Sequence, residues 1–207
     1  MTLVHVAVVG ATGMAGSVIV SELLARHHPV TAIARSFPQK DERRGLTLRP
    51  LDASSSEALA EALKGHDAVV SAVKFKSFDT LRLIEAVKRS DVRRYIVVGG
   101  AGSLRLPSGT LEMDGPGFPE HVKPEAGLGK TFLEQLRTQA SSLDWTFLSP
   151  ARIFKPGERT GRWRESLDDL LFTANGDSRI SVEDYAVALV DELEKPAHIR
   201  RRFTVGY

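Results

Sequence analysis

The chain has 207 residues, 26% of them charged, a formal net charge of +2 and no cysteine. That length suits one α/β domain with a sizeable core. The weak net charge gives no ground for a nucleic-acid partner, the lack of cysteine excludes disulfide and thiolate chemistry, and no apolar run has the length of a membrane span. No basic leader precedes the first apolar run, so the expectation is a cytoplasmic protein.

The elements alternate along the chain. An apolar, β-branched run, Leu3 to Val9, predicts a first strand that stops at Gly10. Gly13 and Gly16 follow, and Ser17 to Ala25 carries helical apolar spacing. Val30–Ala34 predicts a second strand and Leu46–Leu51 a third, with Pro50 weakening its end. Ser54–Lys64 reads as a helix with serines to cap it and Gly65 just past its end. Ala68–Val73 is a fourth strand, Phe78–Arg89 a helix and Tyr95–Val98 a fifth strand. Residues 102–125 hold four prolines and four glycines without a period, which predicts a long loop of the kind that carries function. Leu128–Thr138 is a helix, Trp145–Leu148 a sixth strand, and 155–161 a turn or short irregular segment. Val182–Leu193 is a final helix with Ser181 as N-cap, and Phe203–Val205 a last short strand. Strand and helix alternating in this way predict a parallel sheet with right-handed crossovers. The six histidines show no metal-ligand spacing, and the adjacent His27 and His28 suit a helix C-terminus.

The glycine turn carries the first functional signal. A buried strand that turns through Gly10, Gly13 and Gly16 into a helix is how α/β proteins build a pyrophosphate site. Gly10 permits the sharp turn, Gly13 removes a side chain between backbone and phosphate, and Gly16 lets the helix pack on the strand. The helix N-terminus then offers unsatisfied N–H groups to the anion. The second strand ends in Arg35, where NAD-binding proteins carry an acidic residue for the ribose hydroxyls. A guanidinium suits the extra phosphate of NADP, so NADP(H) is expected, with NAD(H) the alternative. Asp52 follows the third strand, either meeting the adenine amino group or serving as a turn or capping aspartate. Ala72 and Val73 are small enough for a cofactor ribose to lie close.

These pieces together resemble the atypical short-chain dehydrogenase/reductases, in the small NAD(P)H-binding, NmrA-like branch that includes flavin and biliverdin reductases. The resemblance runs through GATGMAG (10–16), GHDAVV (65–70), VVGGAGSL (97–104), DWTFLSPARIFKPGERTG (144–161), SVEDYA (181–186) and the closing RRFTVGY. It implies a Rossmann-like doubly wound parallel sheet, a three-layer α/β/α arrangement and a single domain over 1–207, with 102–125 and 151–180 as substrate-side loops. It also implies that Gly10, Thr12, Gly13 and Met14 hold the pyrophosphate side and Arg35 the 2′-phosphate. Ala72 and Val73 would line the ribose, and Pro150, Ala151 and Arg152 would sit near the nicotinamide.

One departure bears on the reaction. The larger family lowers a tyrosine pKa with a lysine four residues on. None of Tyr95, Tyr185 or Tyr207 has such a lysine, and Lys130, at the lysine position, is preceded four residues earlier by Ala126. Alcohol–ketone interconversion through that relay is therefore not expected. Hydride transfer to a flavin or quinone needs no protein acid, so a conjugated small-molecule acceptor is the first expectation and a cofactor sensor without turnover the second. A nucleotide-sugar epimerase or dehydratase ranks third, for want of the tyrosine. Ser103 and Lys130 are the catalytic candidates, and Lys130 is a cofactor-binding candidate as well. Met113, Phe118 and Pro119 are candidates for an apolar wall, and Arg152, Lys155, Arg159, Arg162 and Arg164 for an anion site. Trp163 either stacks on a ring or covers the core. Monomer and homodimer are both compatible with the pattern.

Overall fold

The computed structural model describes residues 3–207. The main sheet has the order β3-β2-β1-β4-β5-β6-β10-β8, built from β1 (Val6–Val9), β2 (Val30–Ala34), β3 (Leu46–Pro50), β4 (Ala68–Ser71), β5 (Arg94–Val98), β6 (Asp144–Ser149), β8 (Arg164–Ser166) and β10 (Arg201–Gly206). All neighbours are parallel except β8, which runs antiparallel on β10. A separate two-stranded ribbon pairs β7 (Ile153–Lys155) with β9 (Arg179–Ser181).

Side-chain alternation along β1 divides the core in two. Val6 and Val8 face α1 (Met14–Ala25) and α5 (Val182–Glu194), with Ile19, Leu23, Tyr185 and Leu189. Ala7 and Val9 face the opposite layer, α2 (Ser56–Leu63), α3 (Thr80–Arg89) and α4 (Lys123–Gln139), with Leu59, Leu83, Phe132 and Phe147. The central strands are buried on both faces, which explains their near-continuous apolar runs. This is the doubly wound, three-layer arrangement of a Rossmann-like domain. The chain order reverses between β1 and β4, which makes their C-terminal ends the topological switch point.

The caps explain most boundaries. Ser55 Oγ accepts from the Ala58 N–H, Asp79 from those of Leu81 and Arg82, and Ser181 from that of Asp184. Asp79 thus starts α3 two residues later than apolar spacing alone implies. Four differences are larger. β1 begins at Val6, not Leu3, and α1 begins at Met14, not Ser17, because Gly13 already takes the N-cap position. α4 begins at Lys123, not Leu128, with Pro124 in its first turn, so the loop expected to reach residue 125 ends earlier. Strands β7, β8 and β9 are each three residues long, too short to show a period in sequence.

Candidate functional site

The β1–α1 corner is wired through its backbone. Gly10 N–H donates to Ile33 O at 2.9 Å, Gly13 N–H to Gly10 O at 3.1 Å, and Ala72 N–H to Val9 O at 2.8 Å. Gly10 has φ +83°, and a Cβ there would lie 2.4 Å from Ala72 O. A Cβ on Gly16 would lie 2.2 Å from Gly10 O. The close approach at Gly16, expected to be of helix on strand, is therefore of helix on the turn's own carbonyl. No side chain caps α1 and no acidic residue stands in its first turn. Thr12, Gly13 and Met14 are exposed there, so the positive end of the helix faces solvent.

This corner opens on a cleft of about 370 Å³ at the switch point. Gly10, Thr12 and Gly13 form its floor side, Arg35 enters from the end of β2, and Ala72, Val73, Lys74 and Lys76 from the end of β4. Leu51, Ala53 and Phe78 supply apolar wall. Three cations thus line the cleft and no carboxylate does. Arg35 is exposed and forms no ion pair among the described residues. The sequence reading singled out Arg35 but gave Lys76, Ser77 and Phe78 no part. They reach the cleft through a single 3-10 turn, Phe75–Ser77, which Glu125 anchors. The Glu125 carboxylate accepts from the Phe75 N–H at 2.6 Å and the Lys76 N–H at 3.0 Å.

Several expected residues stand elsewhere. Asp52 does not line the cleft: its carboxylate accepts from the Ser54 N–H at 3.0 Å, the bond that chiefly holds its pKa below the ordinary range. It is the turn aspartate of the two readings. Pro150 and Ala151 are buried at the end of β6 and do not line the cleft either. Arg152 is committed: its Nε and Nη2 donate to the buried Glu112 at 2.5 and 2.8 Å, and its guanidinium lies 5.6 Å from the Phe172 ring centroid. It pins the two loops, 102–125 and 151–180, to each other.

The basic segment after β6 does not gather into one anion site. Arg159 pairs with Glu22 on α1 at 3.0 Å, and Arg164 donates to backbone carbonyls of Phe172 and Tyr207. Trp163 packs against the core and donates to Glu165. Ser103 and Lys130 do come together, but in a different cavity that shares no lining residue with the cleft. The Ser103 hydroxyl accepts there from Arg202 Nη1 at 2.9 Å.

The tyrosines are spoken for. Tyr95 is fully buried and its hydroxyl meets Ser71 Oγ at 2.9 Å, while Tyr185, equally buried, donates to Leu148 O at 2.6 Å. Burial pushes both phenols well above their usual pKa, against the smaller opposite effect of their hydrogen bonds. Tyr207 bonds Ser181 and Asp184. None lines the cleft.

A glycine-turned corner at a switch point, lined by cations, has the chemistry with which α/β proteins hold a polyanionic nucleotide. Residues 10–196 match the family described as NAD(P)H-binding. The chain belongs to that NAD(P)H-binding family. An uncharacterized protein of Bacillus subtilis, YwnB, is 40% identical over 97% of both chains. A Bacteroides thetaiotaomicron protein described as a "putative epimerase" superposes with a TM-score of 0.93 at 39% identity, covering 100% of this chain and 98% of its own. SP1627 of Streptococcus pneumoniae, described as a "putative NADH-flavin reductase", gives 0.84 at 36%, covering 98% and 99%. These likenesses accord with the resemblance to atypical short-chain dehydrogenase/reductases. Among the described residues, no helix is long and apolar enough to cross a membrane.

Proposed function

We propose that this protein is an NADPH-preferring oxidoreductase that passes hydride to a flavin, quinone or similar conjugated acceptor without a tyrosine proton relay. The observation that carries the reading is the cleft: open amides at the start of α1, Arg35 at the end of β2, and no carboxylate in the lining. NADPH fits that donor set, because each of its phosphates needs N–H or cationic partners and none of the lining groups repels them. When bound, NADPH supplies the hydride and the acceptor draws its remaining proton from water.

The chain's own residues bind and position. The turn at Gly10–Gly13 and the amides of α1 receive the diphosphate, and Arg35 the 2′-phosphate. Ala72 and Val73 leave room for the ribose. Glu125 fixes the backbone that presents Lys74 and Lys76. The support for an acceptor that needs no protein acid is the commitment of Tyr95, Tyr185 and Tyr207 to the fold.

The test is to mix protein and NADPH with a panel of flavins and quinones and follow the absorbance of the reduced nicotinamide. Oxidation with at least one such acceptor, faster than with NADH, is the expected result. Tight NADPH binding with no oxidation across the panel would instead favour a cofactor-sensing protein. Reduction of simple ketones alone would overturn the argument from the tyrosines.

A further inference from the structure

The cavity that Ser103 and Lys130 share measures about 160 Å³ and lies between the segment after β5, helix α4 and strand β10. That is smaller than the roughly 300–1,000 Å³ that drug-sized ligands fill. Its lining is crowded with positive charge. Arg202 Nε donates to Asp168 Oδ1 at 2.8 Å, Arg105 Nη2 stands 3.4 Å from Asp168, and Arg137 Nη2 3.8 Å from it. Three guanidinium groups therefore converge on one carboxylate. The other carboxylate, Glu134, holds Arg137 at 2.7 Å. Lys130 makes no ion pair among the described residues. Four cations face two carboxylates, and two positive charges have no counterpart.

Burial falls on one of these four cations, the other three being exposed. The Arg202 side chain is only 5% exposed. Its burial is the largest influence and lowers its pKa, Asp168 acts to raise it, and Arg137 and Arg105 add to the lowering. Ser103 is also buried, and after accepting from Arg202 Nη1 its own proton has no acceptor among the described residues. A buried hydroxyl with a free proton beside unneutralised cations is a donor set for an anion.

We propose that this cavity binds a small tetrahedral oxyanion of the phosphate type, held by Lys130, Arg105, Arg137 and the Ser103 hydroxyl. Asp168 does not exclude it, because Arg202 already neutralises that carboxylate from the buried side. The occupant ties α4 to the segment after β5 and to β10, so its binding raises thermal stability. The inference stands apart from the cofactor reading, since none of these residues lines the cleft.

The test is titration of the whole protein with inorganic phosphate at fixed ionic strength, read by calorimetry and by thermal unfolding. It is run on wild type, Lys130→Gln, Arg105→Gln and Arg35→Ala. Lys130 and Arg105 are exposed, so their variants keep the fold. Wild type and Arg35→Ala are both expected to bind and gain stability, any heat missing only in Arg35→Ala being phosphate held in the cleft. Lys130→Gln and Arg105→Gln should each bind roughly tenfold or more weakly, the loss of one charge-assisted hydrogen bond. Phenyl phosphate serves as a second probe: exclusion assigns a free ion, and binding assigns the phosphate group of a larger ligand. No phosphate binding to wild type, equal binding by all four proteins, or loss confined to Arg35→Ala would each overturn the proposal. So would chloride producing the same stabilisation, which would reduce the effect to charge screening.

Discussion

Replacing Arg35 with alanine tests the cofactor assignment most directly. The guanidinium enters the cleft from the β2 side of β1, whereas Lys74 and Lys76 enter from the β4 side. Losing Arg35 therefore leaves the other two cations in place. A hydrogen bond between charged groups contributes about 1.5–3 kcal/mol. Arg35 is exposed and bonded to no carboxylate, but the Asp52 carboxylate lies near enough to feel its charge, and that neighbour and solvent both weaken the gain on binding. The lower half of the range applies. At about 1.4 kcal/mol per factor of ten, NADPH affinity should fall roughly 10- to 40-fold. NADH lacks the 2′-phosphate and should change by less than about twofold, a few tenths of a kcal/mol on the same scale. The assay is calorimetric titration of both dinucleotides into wild type and Arg35→Ala at two salt concentrations. Higher salt should shrink the wild-type preference for NADPH, because the pair is solvent-facing. If both dinucleotides weaken by the same factor, Arg35 does not read the 2′-phosphate and the preference has another source.

Further outcomes follow from the geometry. Gly16→Ala puts a methyl 2.2 Å from the Gly10 carbonyl oxygen. It should cost about 1–3 kcal/mol of stability by overpacking, a fall of several degrees in melting temperature, and weaken dinucleotide binding by displacing the start of α1. Arg152→Ala strands the buried Glu112 carboxylate. The cost should be about 1–3 kcal/mol, below that of a fully buried pair because solvent reaches the guanidinium, and Glu112→Gln in the same background should recover part of it in thermal melts. Asp184 is buried, which works to raise its pKa, but bonds from Thr160, Tyr207 and the Gly161 N–H outweigh this and hold the carboxyl below its ordinary 3.8. Its contribution to stability is thus complete above about pH 4 and disappears as pH falls through the depressed folded-state value. Asp184→Asn should lower stability at pH 7 and flatten the acid limb of the stability–pH curve. An unchanged acid limb would show that Asp184 does not titrate as described.

Much of this molecule was legible in its sequence because its signals are local. A strand buried on both faces reads as a continuous apolar run, as Val6–Val9 and Ala68–Ser71 do. Ser55 and Ser181 announce their helices because a cap acts within three residues. The glycine corner is likewise local: Gly10 needs its positive φ whatever lies beyond it. Arg35 is a strand-end residue, and the strand's end fixes its place.

What failed in the sequence reading was long-range. Arg152 follows β6 at the expected position, yet Glu112, 40 residues earlier, captures its guanidinium. Nothing near Arg152 announces that partner. Ser103 was a candidate from its place after β5 and Lys130 from the family's lysine position, and the two line one cavity away from the cleft. Their neighbours are instead Arg202 and Asp168, brought by β10 and the segment before it. Lys76 reaches the cleft because Glu125, 49 residues on, holds the Lys76 amide.

The sequence by itself determined the layered α/β architecture, the glycine corner and the cation beside it, since strand burial, capping and backbone torsion act over a few residues. Only the tertiary structure decided which charges pair and which stay free. A side chain's electrostatic partner is chosen by proximity in space, and the sheet brings together residues that chain distance keeps far apart.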